Sequence, residues 1–305
     1  MVFRPFDRTD ARTERRPVTA ILSIQSSVAY GHVGNSAAVF PLQRLGIDVW
    51  PVLTVHFSNH TGYGSFRGPV LPADQIAEVL RGVEERGVLP GCDAVLSGYM
   101  GDVSLGHVVL DAVAKVKAAN PKAVYCCDPV LGDVGRGFFV RPGLPEFMRD
   151  QAVPRADIIT PNQFELEYLS GLSEAGRGIE TLADALDAAH KVRALGPKIV
   201  LVTSLTRSDA PADSIEMLAV SGEGAWIVAT PRLPLTVNGS GDITAALFLA
   251  HWLRSGDPGT ALGRTAGTVF AVMEATHKSG KREIQIVAAQ DAIATPPERF
   301  EVRRI

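Results

Sequence analysis

The sequence predicts an open, three-layer α/β fold, with a mostly parallel central sheet and helices on both of its faces. Three observations lead there. Short β-branched and aliphatic runs recur, each followed by a helical pattern, which is the rhythm of parallel strands joined by helical crossovers. Several runs are apolar at nearly every position, as strands covered on both faces are. No internal repeat, low-complexity tract or linker divides the 305 residues, so one domain is expected over 18–305.

The elements follow in order. Residues 18–24 read as the first strand and 48–55 as the second. Pro51 has no N–H for a ladder and marks the second as an edge or bulge. Further strands are expected at 94–97, 123–127, 157–160 and 199–203. Between them, 74–86 places Ile76, Ala77, Val79, Leu80 and Val83 at helical spacing, and 108–119 and 182–195 are similar. The rhythm then changes. Segments 216–220 and 225–229 flank Ser221-Gly222-Glu223-Gly224, a late β-hairpin. An Ala/Leu-rich helix over 243–253, stopped by Ser255-Gly256, and another over 258–276 complete the chain.

Composition narrows the function. Hydrophobic residues make up 46 % and charged residues 21 %, with a net charge of −3. This is ordinary globular chemistry without a field that steers toward nucleic acid or anionic lipid, so neither partner is expected. No apolar run approaches the ~18 residues of a membrane span. Residues 1–17 mix Arg4, Arg8, Arg12, Arg15 and Arg16 with Asp7, Asp10 and Glu14 and read as a disordered, solvated tail. Cys92, Cys126 and Cys127 make a poor disulfide framework. They read as small buried residues in a reducing cytoplasm. Asn59-His60-Thr61 is a glycosylation sequon attributed to chance.

Four stretches could carry chemistry. Gly239-Ser240-Gly241-Asp242 opens the 243–253 helix. Glycines there let orphan N–H groups and the helix dipole face an anion, and an Asp beside that anion could take a proton from a hydroxyl nucleophile. The alternative is that Asp242 or Ser240 only caps the helix. Asp128 and Asp133 follow an apolar strand, where paired carboxylates could organise Mg²⁺ and phosphate, or merely make a polar turn. Thr160-Pro161-Asn162-Gln163-Phe164-Glu165 has capping-box spacing, and Asn162 and Glu165 could also join a magnesium–nucleotide site through water. Hydroxyls and small residues follow the first two strands, at Ser26 and around Thr61, where an acceptor would sit. His32, His56 and His60 lack metal-ligand spacing. Walker, dinucleotide-fingerprint and nucleophile-elbow motifs are missing, which disfavours those enzyme classes.

Together these stretches resemble the pyridoxal kinase family of the ribokinase superfamily, bacterial type. The resemblance runs over about 21–294 and is carried by "SIQSSVAYGHVGNSAAVFPLQRLG", "FSNHTGYG", "LSGYMG", "CDPVLGD", "DIITPNQFELEYLSG" and "GSGD", in family order. It implies a ribokinase-like fold and transfer of phosphate from ATP to the 5′-hydroxyl of pyridoxal, and often of pyridoxine and pyridoxamine, in vitamin B6 salvage. Asp242 aligns with the catalytic base, and Gly239, Ser240 and Gly241 with the anion hole. Ser26, Thr61 and Tyr99 match positions that hold the pyridine ring, walled by Val33 and Phe57. Asp128, Asp133, Thr160, Asn162 and Glu165 match the nucleotide side, with Asp128, Asp133 and Glu165 toward the metal. Thr203 and Ser204 fall where the family contacts ATP. Mg²⁺ with ATP, an optional K⁺ and a homodimer are likewise implied. Two departures stand out: no lysine lies near Thr203, and 230–238 is short, with Asn238 in place of an apolar residue. Two other readings compete, a hydroxymethylpyrimidine kinase, which commonly has Cys where Asp242 stands, and a non-catalytic vitamer carrier.

Overall fold

The computed structural model describes residues 19–305, so the Arg-rich stretch 1–17 lies outside the described residues. Four strands and three helices alternate first. They are β1 (Ala20–Val28), α1 (Asn35–Arg44), β2 (Asp48–Phe57), α2 (Ala73–Glu85), β3 (Ala94–Ser97), α3 (Val103–Ala119) and β4 (Val124–Cys127). A small hairpin, β5 (Gly132–Asp133) and β6 (Gly137–Phe138), precedes α4 (Leu144–Phe147), β7 (Ile158–Ile159) and α5 (Gln163–Leu169). Then come α6 (Leu182–Ala194), β8 (Ile199–Leu205), β9 (Ser214–Ser221), β10 (Gly224–Pro231), α7 (Ser240–Ser255), α8 (Pro258–Ser279), α9 (Gln290–Ala294) and β11 (Val302–Arg304).

Nine strands form one sheet in the order β11-β10-β9-β8-β7-β4-β3-β1-β2. The run from β2 to β8 is parallel, and β9, β10 and β11 are antiparallel. The late hairpin is therefore β9–β10, and β2, with Pro51, is an edge strand. The hairpin β5–β6 forms a separate two-stranded ribbon that the sequence pattern did not signal.

Side-chain alternation divides the core in two. Leu22, Ile24, Val95, Tyr125, Cys127, Ile159, Val200 and Val202 pack on one face against Ile76, Val109, Leu166 and Ala188 of α2, α3, α5 and α6. Their neighbours Ile21, Ala94, Leu96, Val124, Cys126, Ile158, Ile199 and Leu201 pack on the other face against Leu42, Leu247, Leu262 and Ile293 of α1, α7, α8 and α9. Strands buried on both sides explain the unbroken apolar runs. The adjacent Cys126 and Cys127 point to opposite faces, and all three cysteines are free and buried. No helix among the described residues is long and apolar enough to cross a membrane.

Candidate active site

The carboxyl ends of the parallel strands open into a cleft of about 400 Å³. Every site residue expected from the sequence lines it: Ser26, Val33, Phe57, Thr61, Tyr99, Asp128, Asp133, Thr160, Asn162, Glu165, Thr203, Ser204, Gly239, Ser240, Gly241 and Asp242. They come from both halves of the chain because strands ending on one edge of the sheet deliver their following loops to one place.

The N-terminus of α7 forms one wall. Gly239 is its N-cap at φ 88°, in the left-handed region, and no side chain caps the helix. A Cβ at Gly239 would strike the carbonyl oxygen of His32, so only glycine lets the turn close against the loop after β1. The N-cap position itself offers no side chain, and the Asp242 carboxylate meets its own N–H, so the N–H groups of Ser240 and Gly241 are left for an anion. Asp242 is half-buried on this turn. Burial raises its pKa, and the backbone N–H of Gly34 offsets part of that rise.

Opposite stands Asp128, only 5 % exposed. The Thr160 hydroxyl donates to its Oδ1 at 2.9 Å. Burial, followed by the charge of Asp242, pushes its pKa up to about 8, against the pull of that hydrogen bond. A buried carboxyl with one oxygen uncommitted, facing a second carboxyl, is a place that a hard cation would relieve. Among the described residues, no three His, Cys, Asp or Glu form a closed metal cage. Mg²⁺ needs none, since it takes one or two carboxylates and fills its octahedron with phosphate oxygens and water. The donor set therefore fits Mg²⁺ arriving with a nucleotide.

Glu165 is more committed. Its Oε1 accepts from the N–H of Leu131 at 2.8 Å and of Gly132 at 3.4 Å, and its Oε2 from the N–H of Asn162 at 2.9 Å. Asn162 returns the bond by accepting from the N–H of Glu165, a complete capping box. The Asn162 amide also donates to the Gly132 carbonyl at 2.8 Å. Residue pair 162 and 165 thus ties α5 to the loop that carries Asp133, and the capping reading holds. Burial, then the nearby Asp128, raises the Glu165 pKa well above the carboxylate range. Asp133 itself is exposed and accepts from the N–H of Val134.

Thr203 is linked to the turn into α5 through its N–H to the Pro161 carbonyl at 2.9 Å. Ser204 beside it has φ 53°, the one non-glycine residue in the left-handed region among the described residues. It lies where the ladder between β8 and β9 slips. Backbone held in this sparsely populated region next to a cleft is characteristic of a binding segment.

Another wall of the cleft is apolar with polar points. Val28, Val55 and Phe57 cluster with Val33 and Tyr99, and the hydroxyls of Ser26, Thr61 and Tyr99 border that wall. Burial raises the Tyr99 pKa, keeping its hydroxyl protonated. Further residues line the cleft that sequence reasoning left out: His60, Arg136, Phe139 and Asn238. His60 and Asn238 stand within recognised stretches, but nothing in their spacing pointed into the cleft. Arg136 and Phe139 belong to the unforeseen hairpin region.

A helix start without a side-chain N-cap, a carboxyl beside it and a second buried carboxyl in the same cleft, on this sheet, fit the class of small-molecule phosphotransferases of ribokinase-like fold. Residues 64–286 match the family model described as phosphomethylpyrimidine kinase. The chain is 66 % identical to pyridoxal kinase PdxY of Rubrobacter xylanophilus, over 93 % of this chain and 97 % of that protein. It is 56 % identical to pyridoxal kinase PdxY of Leifsonia xyli, over 93 % and 99 %. Pyridoxal kinase from Leishmania donovani, solved with ADP and pyridoxamine, superposes with a TM-score of 0.85 at 30 % identity, over 94 % of this chain and 99 % of that one. The chain belongs to the pyridoxal kinase family of the ribokinase superfamily.

Proposed function

We propose that this chain transfers the γ-phosphoryl group of ATP to the 5′-hydroxyl of pyridoxal, and of pyridoxine and pyridoxamine, giving the 5′-phosphate and ADP. The observation that carries this reading is the uncapped start of α7 with Asp242 on its first turn, opening into the same cleft as buried Asp128. Asp242 takes the proton from the acceptor hydroxyl as its oxygen bonds to the γ-phosphorus and the bond to the ADP oxygen breaks. A carboxyl whose pKa burial has raised is a stronger base than one in water. The N–H groups after Gly239 face the charge that spreads over the transferred oxygens.

Ser26, Thr61 and Tyr99 orient the ring against Val33 and Phe57. Thr160, Asn162, Thr203 and Ser204 line the nucleotide end. Asp128 and Asp133 would hold Mg²⁺ on the phosphates, with Glu165 reaching it only through water, since backbone N–H groups occupy both of its oxygens. When bound, the cation would draw charge from the phosphates. A homodimer in the cytoplasm belongs to the same reading, supported by the family resemblance, and sedimentation of the purified protein tests the dimer.

The decisive experiment measures ADP release with pyridoxal, pyridoxine, pyridoxamine and hydroxymethylpyrimidine as acceptors, with and without K⁺. Turnover with the vitamin B6 forms is the expected result. Preference for hydroxymethylpyrimidine would overturn it, as would tight pyridoxal binding without ADP release.

A further inference from the structure

Arg282, Glu283 and Ile284, in the segment between α8 and α9, together touch three parts of the cleft wall. Glu283 is 7 % exposed. Its Oε1 accepts from the Tyr63 hydroxyl at 2.6 Å and pairs with His60 Nε2 at 3.0 Å, and its Oε2 accepts from the N–H of His32 at 3.1 Å. A carboxylate has only acceptors, so three donors from two separate loops close on one side chain. The Arg282 guanidinium lies over the Tyr63 ring, 4.1 Å from its centroid, and donates to the Gly62 carbonyl. Ile284 is fully buried, and its Cδ1 would lie 3.1 Å from a Cβ built on Gly239. The His32 carbonyl borders the same space.

The residues so held are neighbours of site residues. Thr61 lines the cleft, with His60 before it and Gly62 and Tyr63 after it, and all three are fastened to 282–283. Val33 follows His32 and lines the same cleft. Gly239 opens α7, whose first turn carries Asp242. These three segments are remote in sequence, and they meet at 282–284. Among the described residues, the hydrogen bonds of 282–284 reach neither 160–165 nor 203–204.

Resting on the phosphotransfer reading above, we propose that Glu283 is a positioning residue for the acceptor. It sets Thr61 and Val33, which would orient the ring, at a fixed distance from the turn that carries Asp242, so that the acceptor hydroxyl arrives beside the base. A carboxylate taken out of water repays its desolvation only through its partners, so what this arrangement supplies is fixed geometry more than net stability. Without the three bonds, the 60–63 turn and the 31–33 loop shift against α7 and misplace the acceptor, while the nucleotide end stays as it was. A misplacement of about 1 Å can cost about 10²-fold in rate.

The test compares wild type, Glu283→Met and Glu283→Gln in steady-state kinetics, with pyridoxal and Mg-ATP varied in turn, alongside Tm. Methionine fills the same space and leaves the three donors without their acceptor. Glutamine keeps an oxygen for the His32 N–H and offers its NH₂ to the Tyr63 oxygen and to the other tautomer of His60. Glu283→Met should lower kcat/KM for pyridoxal by about ten- to a hundredfold, while KM for Mg-ATP changes by less than about twofold. Glu283→Gln should recover most of that loss. A lower Tm with unchanged kcat/KM in Glu283→Met overturns the proposal. So does a rise of KM for Mg-ATP as large as the fall in kcat/KM for pyridoxal, or a Glu283→Gln enzyme no better than Glu283→Met. Should Glu283→Met not fold, Tyr63→Phe decides by the same split, since it removes one donor from a partly exposed ring. A fall of about threefold or more in kcat/KM for pyridoxal supports the role, and no fall refutes it. Wild type inactive toward every vitamin B6 form would sink the phosphotransfer reading itself, whereas active wild type with unchanged variants sinks only the role of Glu283.

Discussion

Asp242 and Asp128 are set apart by what surrounds them rather than by residue type. Burial raises both, but Asp242 sits on a helix start with backbone N–H groups beside it, whereas Asp128 has the Thr160 hydroxyl and the Asp242 charge. Base catalysis is worth about 10²–10⁴-fold, so Asp242→Asn should lower kcat by that factor while pyridoxal affinity, read by titration, holds. For Asp128, the folded pKa of about 8 stands above the ordinary value of 3.8. The folded protein therefore binds the extra proton, and the stability this gives is full below about pH 4 and lost as pH rises through 8. Asp128→Asn should flatten that fall in the ligand-free protein, seen as a Tm that no longer drops between pH 4 and 8. The same variant should lose about tenfold or more in Mg²⁺ affinity, measured in the presence of nucleotide. Both aspartates were legible in the sequence because each follows a strand or opens a helix. Glu283 was not, because its partner His60 is 223 positions away and no local pattern joins them.

Among the elements, α5 and α7 begin in contrasting ways. The first has a full capping box from Asn162 and Glu165, while the second starts on a left-handed glycine with no side-chain cap. The capped helix fixes a loop, and the uncapped one keeps its N–H groups for a ligand. In Glu165→Gln, one carboxylate oxygen becomes an NH₂ that meets a backbone N–H. Thermal denaturation should show a loss on the order of 1–3 kcal/mol. If Glu165 also reaches the cation through water, the Mg²⁺ concentration for half-maximal rate should rise as well. A stability loss alone would leave it as a cap. Capping spacing in the sequence found this helix start, but the ribbon β5–β6 escaped notice because two-residue strands carry too little alternation to register.

In the whole molecule, two cores sandwich one sheet, and the cleft lies along a single edge of it. Its walls come from loops after β1, β2, β3, β4 and β7 and from the turn into α7, so ligands bridge segments that are remote in sequence. Mg-ADP and pyridoxal should each raise the Tm of the described domain, by the equivalent of about 2.7 kcal/mol at a hundredfold excess over Kd. Absence of any shift with saturating Mg-ADP would disprove nucleotide binding in this cleft.

The sequence by itself determined the layered α/β class, the parallel strands, the late hairpin and the residues that gather in the cleft. The class, strands and hairpin depend on local periodicity and on glycine at turns, and strand-end loops at one edge pointed to Asp128, Asp133 and Asp242, whereas Val33, Phe57, Tyr99, Thr203 and Ser204 came from the family resemblance of the quoted motifs. Only the tertiary structure decided three other matters. It showed that α7 starts on Gly239 with no side-chain N-cap, that Glu165 spends both oxygens on backbone N–H groups, and that Glu283 pairs with His60 from 223 positions away. Each depends on which partner a polar atom meets across a long sequence separation, and burial, rather than residue type, then sets whether that atom is satisfied, charged or left for a ligand.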